Sequence, residues 1–212
     1  MSDNHKLYEL ALRDRGLLPV IATGPAGTGK TFGAIGFAIE WLKDNRKKVL
    51  VTRPNVSFAK ESGHLPGTER EKMSPWIRPI EQNFLMQGMK KGELEYKEKK
   101  GQITYMPLEF IQGMTWDDTL IIVDEAQNMT FEQLKVFLTR TGKYSKVVLC
   151  GDVAQTSPLF RNSGLAELVE LVKVLDVPCH LIDFTTDDIL RSEQCKTWIV
   201  KFLEWEEMKN GN

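Results

Sequence analysis

Eight consecutive residues, Gly24, Pro25, Ala26, Gly27, Thr28, Gly29, Lys30 and Thr31, combine the residue types that cradle a polyphosphate. Their spacing is that of a P-loop, G-x-x-x-x-G-K-[ST]. Glycines at 24, 27 and 29 let the backbone take positive φ and approach a ligand closely, so that successive N–H groups and a helix N-terminus converge on anionic oxygens. Lys30 then reaches the β- and γ-phosphates as a point charge, and the Thr31 hydroxyl offers an oxygen to Mg²⁺. The pattern has meaning only where a strand feeds the loop and a helix leaves it. Both are expected here: Leu18 to Ala22 is an apolar run, and Ile35, Ala38, Ile39 and Leu42 recur at helical spacing between Phe32 and Lys43.

A second constellation ends the apolar run Thr119-Leu120-Ile121-Ile122-Val123, which delivers Asp124 and Glu125 at its carboxyl end. This is a Walker B pattern, in which Asp124 holds the Mg²⁺ through water and Glu125 orients and deprotonates an attacking water. The next apolar run, Lys146 to Cys150, ends in Gly151-Asp152-Val153-Ala154-Gln155. Asp152 and Gln155 fall where a sensor of the γ-phosphate belongs, since a neutral amide can bond that phosphate or the water beside it. Arg53 and Asn55 follow the strand Val49 to Val51, a place for a phosphate or a nucleic-acid backbone as much as for a solvated turn. The cofactors implied are ATP and Mg²⁺.

These motifs require an α/β fold with a mostly parallel sheet and helices on both faces. At 212 residues the chain is read as one domain, 1–212, with a loop, helix and charged insertion at about 58–101. Within that insertion 58–72 reads as a long loop, 73–90 as a helix, and the lysine- and glutamate-rich 90–101 as an insertion or hairpin. A short amphipathic helix containing Leu7, Tyr8, Leu10 and Ala11 precedes the P-loop strand; Tyr8 either stacks on a nucleotide base or packs in the core. Thr130 is expected to cap the helix that carries Leu134 and Phe137. The final helix, Cys195 to Met208, places Trp198, Ile199, Phe202 and Trp205 on one face, which core packing explains.

Composition narrows the class without deciding it. Lys+Arg 28 against Asp+Glu 29 gives a formal charge of -1, so a nucleic-acid partner has to be met by a local patch. The three cysteines, Cys150, Cys179 and Cys195, form no C-x-x-C pair and speak against a disulfide framework or a zinc site. With no signal-type segment at the start and no run of membrane-spanning length, the expectation is a cytoplasmic protein with no membrane partner.

Taken together, residues 24–31, Thr-Arg-Pro at 52–54, Leu-Pro-Gly-Thr-Glu-Arg-Glu-Lys at 65–72, Asp-Glu-Ala-Gln-Asn-Met-Thr at 124–130, Leu-Thr-Arg-Thr-Gly at 138–142 and Gly-Asp-Val-Ala-Gln at 151–155 resemble the PhoH-like ATPases, single-lobe relatives of superfamily 1 helicases. The resemblance implies a RecA-like core, ATP binding and hydrolysis, a homo-oligomer with a hexameric ring as one form, and a role with RNA or single-stranded DNA. This chain departs from the family pattern in three places. His5 stands where relatives carry a Gln that contacts adenine, Thr156-Ser157-Pro158 replaces Asp-Leu-Pro, and Arg191-Ser192 replaces Arg-His.

A single lobe lacks the second lobe from which superfamily 1 helicases supply arginines to the γ-phosphate. A neighbouring subunit is therefore the expected donor, in trans, with Arg191 as the first candidate and Arg140 as the second. Two other functions share the P-loop: a non-catalytic ATP-dependent assembly switch, against which Glu125 argues, and a small-molecule kinase, which has no use for Asp-Glu-Ala-Gln or Gln155.

Overall fold

The structure, a computed structural model, describes residues 2–54, 69–111, 113–153 and 163–210. Its described strands are β1 (Val20–Thr23), β2 (Lys48–Arg53), β3 (Ile103–Pro107), β4 (Thr119–Val123), β5 (Lys146–Cys150) and β6 (His180–Asp183). They form one sheet in the order β3-β2-β4-β5-β1-β6, with every neighbouring pair parallel. Parallel strands need crossover connections, and those connections cover the sheet with helices, which is why the central strands read as unbroken apolar runs.

The alternation of side chains along each strand divides the core in two. Val20, Ala22, Val49, Val51, Leu120, Ile122 and Val148 face one layer, built with α1 (Asp3–Leu12), α2 (Lys30–Trp41), α3 (Glu69–Met86) and α4 (Lys91–Lys99). Ile21, Leu50, Ile121, Val123, Val147 and Leu149 face the other, built with α5 (Leu108–Ile111), α6 (Phe131–Leu138) and α7 (Gly164–Leu175). The expected α/β architecture, a parallel sheet with helices on both faces, is the observed one.

Two expectations need correction. The segment read as a charged insertion or hairpin is helix α4, whose Leu94 and Lys97 are buried; the Lys97 stem lies in the core while its ammonium donates to the Leu42 carbonyl at 3.3 Å. Its dense charge hid two inward positions three residues apart. The last helix, α8 (Glu193–Asn210), does not bury the face assigned to the core: Trp198, Phe202 and Trp205 are 59%, 59% and 56% exposed. Only Ile199 of that set is half-buried. The loop assigned to 58–72 lies largely outside the described residues, as do Asn55 and Gln155.

Helix α1 is anchored at both ends. At its N-terminus Ser2 and His5 form a reciprocal capping box, and at its C-terminus the buried Lys146 ammonium donates to the carbonyls of Ala11 (2.9 Å) and Asp14 (3.3 Å). Burial lowers the pKa of Lys146. The other tie runs to the segment after β6, where Asp188 accepts from the Thr185 amide at 2.7 Å and from Asn4 Nδ2 at 2.8 Å. Burial opposes the Asp188 charge, but hydrogen bonds from Ser2, Thr185 and Asn4 together outweigh it and hold the carboxyl at about 2.

A depressed carboxylate pKa contributes stability above the unfolded value that is lost as pH falls through the folded one. Asp188→Asn is therefore expected to cost about 2 kcal/mol at neutral pH. Urea unfolding should show the gap narrowing below a pH of about 4 and closing near about 2. A gap that stays constant or widens towards acid would contradict this account.

Candidate functional site

Because the sheet is parallel, the carboxyl ends of β1, β2, β4, β5 and β6 lie at one edge, and the chemistry-bearing residues gather there. The loop after β1 has positive φ at Gly24 (127°), Gly27 (83°) and Gly29 (84°). At Gly24 no other residue fits, since a Cβ would lie 2.2 Å from the Phe184 carbonyl oxygen. Gly29 is the N-cap of α2, so the first amides of that helix open towards the loop. Pro25 and Ala26 form its outer turn, while Thr28 is buried and its hydroxyl donates to the Pro25 carbonyl at 2.9 Å.

Lys30 lies across this loop. Its ammonium donates to the carbonyls of Gly24 (2.6 Å) and Pro25 (2.8 Å) and to Thr28 Oγ1 (3.2 Å). Burial lowers its pKa, against the attraction of the acidic groups around it. The next residue reaches towards β4: Thr31 Oγ1 donates to Asp124 Oδ1 at 2.6 Å. Burial raises the Asp124 pKa, opposed chiefly by that hydrogen bond. A hydroxyl and a carboxylate oxygen in contact are hard donors of the kind that Mg²⁺ takes alongside its waters, so the residues present fit that ion.

Glu125 is held from two sides. Its backbone is left-handed, φ 55°, an uncommon conformation for a non-glycine residue that turns the chain sharply after β4. Oε2 accepts from Gln127 Nε2 at 2.6 Å, and Oε1 lies 3.8 Å from Arg53 Nη2. Arg53 Nη1 is 4.0 Å from Asp124 Oδ2, so the arginine bridges both carboxylates from the end of β2.

Gln127 is the residue that sequence reasoning missed. It is 4% exposed, its Oε1 accepts from the Asp152 amide at 3.1 Å, and its own carbonyl accepts from Ser163 Oγ at 3.3 Å. It therefore couples Glu125 at the end of β4 to the start of the segment after β5. A glutamine inside a short 3-10 turn among Asp-Glu-Ala-Gln carries one signal, an amide at a position otherwise expected to be apolar, but its two partners are set by the fold. Asp152 joins the site through this link; Gln155 lies outside the described residues.

Three further placements bear on the expectations. Tyr8 is 3% exposed, donates from its hydroxyl to the Lys30 carbonyl at 2.9 Å, and meets Phe184 edge to face. A buried ring offers no face to a base, so Tyr8 packs beneath α2. His5 is likewise buried, with Nε2 2.9 Å from the Thr28 carbonyl; a carbonyl only accepts, so that nitrogen carries the proton. Arg191, expected to serve a neighbour, lies over its own P-loop: a Cβ on Gly27 would be 2.9 Å from Arg191 Cγ, and the Leu190 amide donates to the Gly27 carbonyl at 2.9 Å. The pairing of β6 with β1 delivers it there in cis. Arg140 is exposed at the end of α6 and borders a different pocket.

Ala26, Lys30, Arg53, Asp124, Glu125 and Arg191 line one cleft of about 820 Å³, whose far wall is formed by Phe32 and by Gln82, Asn83 and Met86 of α3. Among the described residues no helix is long and apolar enough to cross a membrane.

Comparison with solved structures places the fold. The large terminase of a thermophilic bacteriophage aligns with a TM-score of 0.57 at 16% identity, over 91% of this chain and 47% of that one. The DUF1998 helicase MrfA bound to DNA aligns with a TM-score of 0.51 at 9% identity, over 87% of this chain and 26% of that one. Identities so low speak for a shared RecA-like fold alone. Sequence relatives are nearer. A PhoH-like protein of Bacillus subtilis is 40% identical over 174 residues, 81% of this chain and 54% of the relative. One of Mycobacterium tuberculosis is 37% identical over 194 residues, 91% and 54%, and protein PhoH of Escherichia coli is 33% identical over 181 residues, 84% and 51%. The chain thus spans about half the length of these relatives. The family model described as PhoH-like protein matches residues 2–204, which contain the loop, both carboxylates and Gln127. This chain belongs to the PhoH-like family.

Proposed function

We propose that this chain binds ATP with Mg²⁺ and hydrolyses it to ADP and phosphate, and that turnover is coupled to binding RNA or single-stranded DNA. The observation that carries the reading is the fixing of Glu125 by the 2.6 Å hydrogen bond from Gln127, beside the Thr31–Asp124 pair and in the same cleft as the P-loop. A protein that only binds nucleotide has no need of a positioned carboxylate there.

The loop amides and Lys30 bind the phosphates, with Lys30 exchanging loop carbonyls for phosphate oxygens. Thr31 and Asp124 would hold Mg²⁺, which when bound would supply positive charge for the polyphosphate. Glu125, anchored through one oxygen, uses the other to orient a water and accept its proton. Asp152, joined to Gln127 through its amide, and Gln155, by its place in the sequence, are the residues proposed to sense the γ-phosphate. Arg191 adds positive charge in cis. Arg140, exposed and remote from its own cleft, is the arginine left for donation in trans within a homo-oligomer, with a hexameric ring as its closed form. Arg53 is half-exposed at the cleft and suits a polynucleotide phosphate. The working compartment is the cytoplasm.

Lys30→Ala is expected to abolish nucleotide binding, and Glu125→Gln to retain ATP without hydrolysing it. Titration with a fluorescent nucleotide, together with phosphate release, separates the two; equal loss of binding in both variants would overturn the roles and favour a non-catalytic switch. Gln127→Ala should lower kcat on the order of 10²-fold with ATP affinity little changed, because it frees Glu125 without touching the loop. Polynucleotide affinity should drop steeply between about 50 and about 200 mM salt and vary little with sequence. Filter binding with homopolymers of RNA and DNA measures both.

A further inference from the structure

Helix α7 starts after Ser163, whose backbone is that of an N-cap residue (φ -64°, ψ 117°). An N-cap serine ordinarily turns its hydroxyl oxygen to an amide of its own first turn, which steadies the helix. Ser163 makes no such bond. Its hydroxyl instead donates to the Gln127 carbonyl at 3.3 Å. The first amide of the helix is directed the same way, since Gly164 N–H donates to the Met129 carbonyl at 3.1 Å. Both leading polar groups of α7 are therefore spent on the turn that follows Asp124 and Glu125.

The approach is backbone against backbone. A Cβ on Gly164 would run into the Phe131 nitrogen and lie 2.7 Å from the Met129 carbonyl oxygen. A Cβ on Gly151, at the end of β5, would lie 3.0 Å from the Gln127 nitrogen and 2.9 Å from its Oε1. Only the lack of side chains at these two places lets the acidic turn sit against both the end of β5 and the start of α7. Ala126, Met129 and Leu165, all fully buried, close the same core layer around it.

We infer that Ser163 and Gly164 are positioning residues for Glu125, acting on it through Gln127. The inference rests on the role proposed for Glu125 in orienting water. Glu125 Oε2 accepts from Gln127 Nε2 at 2.6 Å, and that amide holds the carboxylate still only if Gln127 is itself still. The Asp152 amide pins its side chain through Oε1, and the Ser163 hydroxyl pins its backbone through the carbonyl. Gly164 fixes the turn two residues further on, at Met129.

Strain in the turn gives these contacts their purpose. Glu125 is left-handed at φ 55°, a conformation that persists in a non-glycine residue only where the surroundings over-determine it. Packing alone does not explain the arrangement. Leu165 and Met129 would be buried equally well by a helix whose serine capped its own amide, so the hydroxyl serves the turn at the expense of α7. What it secures is the direction of the Glu125 side chain.

The test compares Ser163→Ala with Ser163→Thr, which keeps the hydroxyl, in the full chain, with circular dichroism read alongside to show that the fold is kept. Ser163→Ala should lower kcat for ATP about tenfold and leave KM within about twofold, a smaller loss than for Gln127→Ala because the bond to Glu125 itself remains. Ser163→Thr should recover most of the rate. Added to Glu125→Gln, Ser163→Ala should slow single-turnover phosphate release no further, since the group it positions is gone. Amide hydrogen exchange without nucleotide should quicken over 124–129 in Ser163→Ala and stay unchanged over 24–31. Unchanged exchange over 124–129, an equal fractional loss of rate in the Glu125→Gln background, or a raised KM at constant kcat would each overturn the inference. A parent chain that does not hydrolyse ATP would overturn the proposed function instead, and the exchange over 124–129 then decides by itself whether Ser163 holds the turn.

Discussion

The 2.6 Å hydrogen bond from Thr31 to Asp124 spans a gap that the sheet itself leaves open. β1 and β4 are not neighbours: β5 lies between them, with Ala22 opposite Cys150 and Val123 opposite Leu149. Two strand spacings put the P-loop and the acidic turn about 10 Å apart, too far for backbone to meet backbone. The first turn of α2 has to project a side chain across the end of β5, and a small buried residue there leaves the way clear. Cys150 fills that place, its thiol pushed up to about 12 by burial, so it stays neutral beneath the charged groups. Registers β1–β5 and β5–β4 therefore determine whether the two motifs form one site.

Desolvation then acts on the two charges in opposite directions. It lowers the pKa of Lys30 and raises that of Asp124, so each charge is held in the low-dielectric floor of the cleft at some cost. Lys30 offsets that cost with three oxygen acceptors from its own loop, and Asp124 with the Thr31 hydroxyl and the more distant Arg53. Such a site is preorganised for a ligand with negative charge over the loop and a cation beside the acid.

The sequence was most legible where one strand and the turn after it carry the whole signal. The P-loop, the carboxylates after β4 and the Thr130 cap are local patterns, and each needs only its own segment to form. The central strands were legible for a related reason, since burial on both faces leaves unbroken apolar runs. What stayed hidden depends on pairing between distant segments. Tyr8 has the composition of either a stacking or a packing residue, and only the proximity of Phe184 decides. Gln127 has no neighbour in sequence that reveals its bond to Asp152. Helix α4 hid two buried positions under charge, while α8 has apolar residues whose number says nothing about which side is covered.

Arg191 illustrates the same limit most fully. Read along the chain, it precedes an amphipathic helix and looks free to leave its own domain. Read through the sheet, it is delivered to its own P-loop. β6 pairs with β1 through Thr23 opposite Asp183, so the residue that follows, Phe184, emerges against the start of the P-loop and donates its amide to the Thr23 carbonyl. The carbonyl of Phe184 is why Gly24 has no room for a side chain. Asp188, tied to Asn4 of α1, turns the chain back, and the Leu190 amide closes onto Gly27. Each step leaves the next little choice. A loop that must stay backbone-thin to accept phosphate is thereby braced by the segment that carries its own arginine, and cleft and brace become one structural unit.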